Sequence, residues 1–514
     1  MNWLTFLTRP YWRYSLSLLS GLALVFAYAP FNQGWLAPLL IASWLLMLVR
    51  AQTQRQALAT GFAFGFGWFG AGVSWVFVSI DQFGGLPLIF SVLLMVVLWA
   101  YLALFPMLAA WLWFRSRRWL SGMSLFVLPL LWLISEFLRG WLFTGFPWLS
   151  LGYSQTSTVM GNMAPHVGEI GLSLLVMLSA IGFALTLLRK QVQWLLVPLI
   201  CYAMGVVAPY FNPMQPTGET VNVALVQGNV SLDVKWEPSR QWINLVKYMD
   251  LARPYYDHDL VIWPESAITA IEPHATEALQ EIDKAAAAND TAVITGIIDL
   301  KESNNGYYNS IIVLGQQPDS GYQYAADNRY EKHQLLPIGE FVPFESLLRP
   351  LAPLFNLPMS SFQRGSYRQP NLQANGYQLA ANICYEVAFP RQIAASVDEQ
   401  TQLLLTISND SWFGDSHGPH QHMEIARMRA MELGRPMLRS TNNGVTGMVD
   451  ERGRWITHIP QFEANVASAH VSLVEGKTWF RRTGEWPAWI SAMLLAFATL
   501  RKSGRNAAEN YKSR

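Results

Sequence analysis

Charged residues are scarce in this chain, and the scarcity is concentrated in its first part. Asp, Glu, Lys and Arg make up 14% of the 514 residues, against roughly 25% in an average soluble protein. Residues 1–210 hold only 10 of the 36 basic and 3 of the 35 acidic residues. This distribution excludes an ordinary soluble enzyme. It predicts a membrane part, followed by a water-soluble part that is long enough to bury its own core.

Cysteine is nearly absent as well, and basic residues are not in excess. Cys201 lies in an apolar run and Cys384 in the soluble part, so the two form no disulfide framework. The formal net charge of +1 gives no reason to expect a nucleic-acid partner. Gly-rich phosphate loops are missing, and His417, His420 and His422 lack the spacing of a metal site. We therefore expect no metal and no cofactor.

Long apolar runs are present instead, and they predict a polytopic α-helical membrane domain with eight transmembrane helices. A spanning helix needs about 20 mostly apolar residues. We expect seven spans before residue 211 and one after the soluble part, at 13–29, 34–50, 57–79, 87–114, 121–143, 167–188, 192–209 and 487–501. The predicted domains are therefore 1–210 (membrane), 211–486 (soluble) and 487–514 (closing span and tail). Glycines at 61, 65, 67, 70 and 72 in the third run favour close helix packing.

The positions of Lys and Arg predict the orientation of these spans. Basic clusters occupy alternate connections, at 9–13, 50–55, 115–118, 189–190 and 501–514, whereas the connections 30–33, 80–86 and 144–166 contain no Lys or Arg. Basic loops stay on the cytoplasmic side of a membrane. We therefore expect both termini in the cytoplasm and the domain 211–486 on the opposite side of the membrane, which in a bacterium is the periplasm.

Two charged residues, Glu136 and Arg139, lie three positions apart inside a predicted span. An isolated charge in a membrane is costly, so such groups pair or face a polar cavity. Two interpretations stay open. The two side chains serve the structure, or they hold a lipid headgroup or an acceptor.

The soluble part alternates short β-rich runs with helical patterns, which is typical of a layered α/β domain. Helices are predicted at 238–252, 274–288 and 420–433. The predicted strands are Val221–Val226, Leu260–Trp263, Ala292–Ile297, Ser310–Leu314, Gln378–Ile383, Leu403–Ser408 and Val445–Asp450. Residues 340–370 are rich in Pro and apolar residues without a clear period, which predicts a lid or a membrane-touching arm.

Three segments of the soluble part carry reactive groups. An apolar strand ends in Pro-Glu at Glu265, and a second segment places Lys332 eight residues before Glu340. A third apolar strand ends at Cys384, ahead of a polar turn. Taken singly, each residue fits an ordinary role: a surface or capping carboxylate, a solvated lysine or a buried, inert cysteine.

Together and in this order, the segments resemble the nitrilase or carbon–nitrogen hydrolase superfamily, from Val221 to about Leu473. The resemblance implies an αββα sandwich and a catalytic triad of Glu265, Lys332 and Cys384. It also implies a set of supporting or substrate-binding residues, namely Glu340, Tyr385, Glu386, Trp236, Trp412 and Phe413.

With its membrane part, the whole chain resembles the members of that superfamily that complete bacterial lipoproteins. The resemblance implies that Cys384 takes a fatty acyl chain from a phospholipid, at the sn-1 position of phosphatidylethanolamine, as a thioester. The fatty acyl chain then passes from Cys384 to the N-terminal amine of diacylglyceryl-cysteine on an apolipoprotein. Glu265 would be the general base, and Lys332 and the Tyr385 N–H would stabilise the oxyanion. The expected partners are the phospholipid donor, the diacylated apolipoprotein and the bilayer.

Two other functions are weighed against this one. A membrane-tethered amidase or nitrilase would use the same residues with water as acceptor. A transporter or receptor could carry an inactive domain of the same fold as a sensor, but the intact Glu265, Lys332 and Cys384 speak against it.

Overall fold

The computed structural model describes residues 10–83, 87–117, 124–301, 305–316, 321–341 and 362–512. Most of the predicted lid, residues 342–361, lies outside the described residues. The chain forms two compact units. We call residues 1–77, 87–212 and 479–514 the helical unit, and residues 78–86 and 213–478 the sheet unit.

The helical unit consists of apolar helices joined by short 3₁₀ turns. The Thr53 side chain caps one helix by accepting a hydrogen bond from the Gln56 N–H at 3.3 Å. Pro129 and Pro165 lie in the first turns of two others, where a missing N–H costs nothing. The helices are α1 (Pro10–Ala23), α2 (Leu36–Val49), α3 (Gln54–Gly72), α4 (Val76–Phe83, of which residues 78–83 belong to the sheet unit), α5 (Leu88–Ser116), α6 (Leu128–Arg139), α7 (Ala164–Arg189) and α8 (Leu196–Val207).

Fewer helices than predicted are long enough to cross a membrane. Among the described residues, three helical segments have the required length and composition: Leu88–Ser116, Val159–Arg189 and Val192–Phe211. A fourth is added if Gln54–Gly72 and Val76–Gln82, which meet at 61°, form one broken span. The span predicted at 57–79 coincides with this pair, and the helix breaks within it because the backbone at Val73 leaves the helical conformation. The count of eight spans stays a prediction.

Glycines let helix α3 approach its neighbours closely. A Cβ atom on Gly67 would lie 2.3 Å from the carbonyl oxygen of Leu18 in α1, and one on Gly61 would lie 2.7 Å from Ala110 Cβ in α5. These distances are far below van der Waals contact, so larger residues would force the helices apart. Close packing is the role that the sequence predicted for this glycine-rich stretch.

Replacing Gly67 should therefore destabilise the helical unit. We expect Gly67→Val to lower the free energy of unfolding by about 1–3 kcal/mol, the usual range for overpacking, and to lower the Tm measured in detergent. Gly70→Ala is the matched control, because a Cβ at that position would lie 3.9 Å from its nearest neighbour, the Trp99 ring. Equal Tm values for the two variants would contradict this account of the packing.

Within its described residues, the sheet unit contains two six-stranded sheets. The first has the strand order β12-β1-β2-β3-β4-β5 and the second the order β11-β10-β9-β8-β7-β6. Strands β1–β2–β3 and β7–β8–β9 are parallel, and the remaining pairs are antiparallel. The strands are β1 (Gln215–Gln227), β2 (Leu260–Ile262), β3 (Ala292–Lys301), β4 (Gly306–Leu314), β5 (Arg329–Glu331), β6 (Leu372–Ala374), β7 (Tyr377–Ile383), β8 (Leu403–Ser408), β9 (Met437–Thr441), β10 (Thr446–Val449), β11 (Trp455–Ile459) and β12 (Asn465–Glu475).

Helices cover the outer faces of the two sheets. Leu245 and Leu279 belong to helices that pack against Val261 and Val293 of the first sheet in one buried cluster. The Ser440 hydroxyl of β9 donates to the Val226 carbonyl of β1, which joins the sheets face to face. The resulting helix–sheet–sheet–helix layers are those of the predicted sandwich. Its helices are α9 (Leu232–Lys235), α10 (Gln241–Ala252), α11 (Thr276–Ala287), α12 (Pro390–Ser396) and α13 (Gly418–Leu433).

The chain ends in two helices that belong to the helical unit, α14 (Trp479–Thr483) and α15 (Trp486–Lys512). Ala488 and Ala492 of α15 pack against Leu133 of α6 and Ile170 of α7. The small alanine side chains bring α15 close to both neighbours. The predicted closing span, 487–501, therefore coincides with a helix that is part of this bundle.

Candidate active site

The three predicted catalytic side chains meet where strands of the two sheets end. Glu265 follows β2, Lys332 directly follows β5, and Cys384 directly follows β7. The Lys332 Nζ lies 3.6 Å from the Glu265 Oε1. The Cys384 side chain is buried, as are those of Glu265 and Lys332. The ends of parallel strands are the usual place for ligand sites in such sheets.

Lys332 is a buried cation that two carboxylates hold in place. Its side chain is 2% exposed, and its Nζ donates to the Glu340 Oε1 at 2.8 Å. Burial by itself would lower the pKa of Lys332, but the carboxylates of Glu340 and Glu265 outweigh it and raise the pKa above the ordinary lysine value. The ammonium group therefore stays charged in the site.

Glu265 is fixed by neutral donors on both of its oxygens. The Asn309 side-chain amide donates to the Oε1 at 2.8 Å, and the Asn409 backbone N–H donates to the Oε2 at 2.8 Å. Asn309 also donates to Glu340 at 3.1 Å, so one amide bridges the two carboxylates. Sequence reasoning missed both residues. For Asn309 the available signal was an amide shortly before the apolar run Ile311–Leu314 of strand β4.

A second lysine, Lys235, also escaped the sequence analysis. Its Nζ donates to the main-chain carbonyl of Glu265 at 3.1 Å, and the residue is 2% exposed. Ser266, which follows Glu265 in the chain, has a φ of 50°, a backbone conformation that is uncommon outside glycine. Burial lowers the pKa of Lys235 to about 8, although the Glu265 carboxylate opposes the shift. Lys235 thus holds the turn that presents Glu265.

The Cys384 thiol is protonated in the resting structure. Burial raises its pKa well above the ordinary thiol value, the Glu265 carboxylate raises it further, and the Lys332 ammonium partly offsets both. A thiol in this state needs a base at the moment of attack, because the thiolate is the nucleophile. The residue has a φ of 54° at the start of the helical turn Cys384–Ala388.

Glu386 connects the segment around Lys332 with the strand that carries Cys384. It is fully buried, and its two oxygens accept five hydrogen bonds of 2.8–2.9 Å. Some donors lie in or after β5 and others at the end of β7 or in α12. They are the Tyr330 hydroxyl, the His333, Gln334 and Ile383 backbone N–H groups and the Gln392 amide. Glu386 therefore positions the site without being one of its reacting groups.

The aromatic residues that were predicted to support the site differ in their exposure and in their contacts. Trp236 is 38% exposed, and the Lys235 ammonium lies 5.8 Å from its ring centre. The Trp412 carbonyl accepts a hydrogen bond from the Ser79 hydroxyl at 2.6 Å. The Phe413 ring packs edge-on against His422, and the buried Tyr385 ring packs edge-on against Phe389.

Glu136 and Arg139 lie in α6 of the helical unit, and both are buried. Glu136 accepts hydrogen bonds from the Trp132 indole at 3.0 Å and from the Leu151 N–H at 2.9 Å. Arg139 donates to the carbonyls of Phe146, at 2.8 Å, and Trp148. Both side chains therefore fix the same segment, 146–151.

A metal centre is not evident in the part of the chain that the structure describes. There, no group of three or more His, Cys, Asp or Glu side chains is arranged to hold a metal ion. His420 and His422 lie in α13 and His417 caps it, so these histidines belong to a helix start, as predicted. The predicted absence of a metal stays a prediction.

The fold and this cluster of side chains define a class, the carbon–nitrogen hydrolases. The family model described as Carbon-nitrogen hydrolase matches residues 222–481. The model of the Apolipoprotein N-acyltransferase N-terminal domain matches residues 20–182. A nitrilase-superfamily structure from Saccharomyces cerevisiae covers 49% of this chain and 90% of its own at 15% identity, with a TM-score of 0.36, which is too low to support an inference.

Whole-length relatives narrow the class to one family. Apolipoprotein N-acyltransferase of Vibrio vulnificus is 47% identical over 95% of this chain and 96% of its own length. Those of Shewanella oneidensis and Pasteurella multocida are 47% and 38% identical, covering 94% and 96% of this chain and 95% and 96% of their own. The chain therefore belongs to the apolipoprotein N-acyltransferase family. It is an acyltransferase of lipoprotein maturation. The relatives therefore favour acyl transfer over the two other functions considered above, a membrane-tethered amidase and an inactive sensor domain.

The Glu386 contacts generate a prediction about stability. In Glu386→Gln, an amide NH₂ would replace an oxygen that accepts hydrogen bonds, so at least one buried donor would lose its partner. We expect the free energy of unfolding to fall by at least about 1–3 kcal/mol, measured by thermal unfolding in detergent. Glu399→Gln, a neutralisation at an exposed position, should leave the Tm unchanged. A Glu386→Gln enzyme as stable as this control would contradict the role of Glu386.

Proposed function

We propose that Cys384, Glu265 and Lys332 form the catalytic triad of a two-step acyl transfer from a phospholipid to an apolipoprotein. The observation that supports this proposal best is the burial of a thiol, a carboxylate and an ammonium group together at the strand ends. Of these three side chains, the Cys384 thiol is the one that can become a strong nucleophile. The family to which the chain belongs supports the same reaction class.

In the first step, the enzyme takes up the fatty chain. Glu265 accepts the Cys384 proton while the sulfur attacks the ester carbonyl, for which we propose the sn-1 ester of phosphatidylethanolamine. The oxygen of that carbonyl becomes negative and is stabilised by the Lys332 ammonium and the Tyr385 N–H. The ester C–O bond then breaks. The proton passes from Glu265 to the leaving alkoxide, and a lysophospholipid is released.

In the second step, the fatty acyl chain passes from Cys384 to the lipoprotein. The α-amine of diacylglyceryl-cysteine attacks the thioester carbonyl, a C–N bond forms and the C–S bond breaks. Glu265 removes the amine proton and the Cys384 thiolate is reprotonated, so the enzyme returns to its starting state. The raised pKa of the Cys384 thiol suits this return, because the free enzyme then holds a neutral thiol.

Other residues support the reaction from defined positions. Glu340 keeps Lys332 charged and placed through its 2.8 Å contact. We propose Trp236, whose ring is partly exposed, as an acyl-chain contact, and Trp412 and Phe413 as the aromatic wall expected from the family. We propose residues 340–370 as the lid that keeps water from the thioester.

The proposed membrane arrangement places this chemistry outside the cytoplasm. Eight spans in the bacterial inner membrane, with both termini cytoplasmic, put the domain 211–486 in the periplasm, between the membrane domain 1–210 and the closing segment 487–514. The one-sided distribution of Lys and Arg supports this orientation. Glu136 and Arg139, in the membrane domain, are candidate contacts for a lipid headgroup or the acceptor.

Intact-mass analysis tests the proposed intermediate. We expect wild-type enzyme mixed with phosphatidylethanolamine to gain the mass of one fatty acyl group on Cys384, with an equal amount of lysophospholipid released. Cys384→Ala should gain none. Cys201→Ala, which removes the other cysteine, is the matched control and should be acylated normally. Wild-type enzyme that stays unmodified in excess phospholipid would overturn the proposal.

Acceptor specificity separates acyl transfer from hydrolysis. The purified acyl-enzyme should transfer its chain to a diacylated lipopeptide and should lose little of it in water alone over the same time. Free fatty acid as the main product in the presence of lipopeptide would instead indicate an amidase-type or lipase-type enzyme.

The charge of Lys332 generates a further prediction. Lys332→Met removes the ammonium that lowers the Cys384 pKa, so the pH profile of Cys384 alkylation by iodoacetamide should move to higher pH. Loss of an oxyanion donor should also slow acylation by about 100-fold or more. Lys284→Met, at an exposed lysine paired with Glu281, is the control and should change neither rate. An unshifted alkylation profile in Lys332→Met would contradict the proposed charge effect.

A further inference from the structure

A buried histidine holds the peptide unit that follows the nucleophile. The Nε2 of His422 lies 3.0 Å from the main-chain carbonyl oxygen of Cys384. Cys384 has a φ of 54°, which residues other than glycine adopt only where surrounding contacts enforce it. The histidine contact is therefore placed where the backbone needs an external hold.

Two charged residues fix the histidine ring from its other side. The His422 Nδ1 lies 3.0 Å from the Asp410 Oδ1 and 2.9 Å from a guanidinium nitrogen of Arg439. The same guanidinium nitrogen donates to the Asp410 Oδ2 at 2.8 Å. A carbonyl oxygen can only accept, so the Nε2 carries a hydrogen toward Cys384. All three side chains are almost fully buried.

This network keeps its charge state across the neutral pH range. Burial lowers the pKa of His422, and the Arg439 guanidinium lowers it further, although Asp410 opposes both. Burial would raise the pKa of Asp410, but Arg439 and His422 outweigh it and hold that pKa below its usual range. The Nε2–H faces a main-chain carbonyl oxygen, which is neither a proton donor nor a base in the reaction, so the role of the ring is geometric.

The planarity of the peptide bond links the His422 contact to the orientation of the Tyr385 N–H. The carbonyl of Cys384 and the N–H of Tyr385 belong to one planar trans unit and point in opposite directions. Holding the oxygen on one side therefore aims the N–H on the other. Resting on the proposed acyl transfer, we infer that His422, held by Arg439, which Asp410 fixes in turn, is a positioning residue that aims the Tyr385 N–H at the oxyanion.

Two amide substitutions at this position make a matched test. The side-chain nitrogen of Gln reaches about as far from the backbone as the His Nε2, and that of Asn only about as far as the Nδ1. His422→Gln should keep the donor to the Cys384 carbonyl, and His422→Asn should lose it. His422→Leu, which also lacks the donor, is measured in parallel in case His422→Asn folds poorly.

Two reactions of the Cys384 sulfur distinguish a positioning role of His422 from a general structural role. Acylation by phosphatidylethanolamine develops an oxyanion, whereas alkylation by iodoacetamide does not. Both rates are measured in full-length enzyme in detergent with a Cys201→Ala background, and acylation is normalised to the Cys384 that iodoacetamide can titrate. We expect His422→Asn and His422→Leu to slow acylation by about 10- to 100-fold, somewhat less than the loss of an oxyanion donor. Their alkylation rates should stay within about twofold of the parent, and His422→Gln should recover most of the acylation.

The outcomes distinguish this inference from the function on which it rests. An enzyme with native His422 that forms no acyl adduct would overturn the proposed function itself. An adduct in that enzyme, with acylation unchanged in His422→Asn, would overturn only the positioning role. Acylation and alkylation falling equally would also overturn it, because the histidine would then hold the sulfur and the fold rather than the oxyanion donor.

Discussion

The burial of one ammonium group constrains the whole active site. Lys332 is 2% exposed, and an uncompensated charge at such a position would cost several kcal/mol. Glu340 and Glu265 supply the compensation, and the Asn309 amide satisfies an oxygen of each. These four side chains form one unit, because removing any of them leaves a buried charge or a buried polar atom without its partner. The positive charge of Lys332 is thus maintained by the groups around it.

This constraint makes the site a property of both sheets. Lys332 follows β5 at the edge of the first sheet, and Cys384 follows β7 in the second. Glu386 accepts hydrogen bonds from both segments, so a buried carboxylate holds the segment of Lys332 beside that of Cys384. A shift of one sheet against the other would separate the two side chains. In the proposed mechanism, pairing across the sandwich is therefore as important as the groups themselves.

The sequence predicted elements with continuous apolar runs and missed those whose polar atoms are satisfied only in the folded chain. Glu265 was found because it ends the apolar strand β2. Strand β9 was missed because Arg439 and two hydroxyl residues interrupt its pattern, although all of them are buried. Lys235 and His422 bind main-chain carbonyls that are far away in the sequence. No local pattern encodes such a contact, so Glu265, Lys332 and Cys384 could be proposed from the sequence and their supporting contacts could not.

Two buried cations of this chain show how the partner of a charge determines what the charge can do. Arg139, in the helical unit, binds the carbonyl oxygens of Phe146 and Trp148, which are dipoles without net charge and belong to one local segment. Lys332 instead binds two carboxylates, each attached to a different part of the sheet unit. Carbonyl partners fix a loop but carry no net charge that could balance the cation. Carboxylate partners keep the cation charged beside a carboxylate that can take a proton, and acyl transfer from a neutral thiol needs that combination.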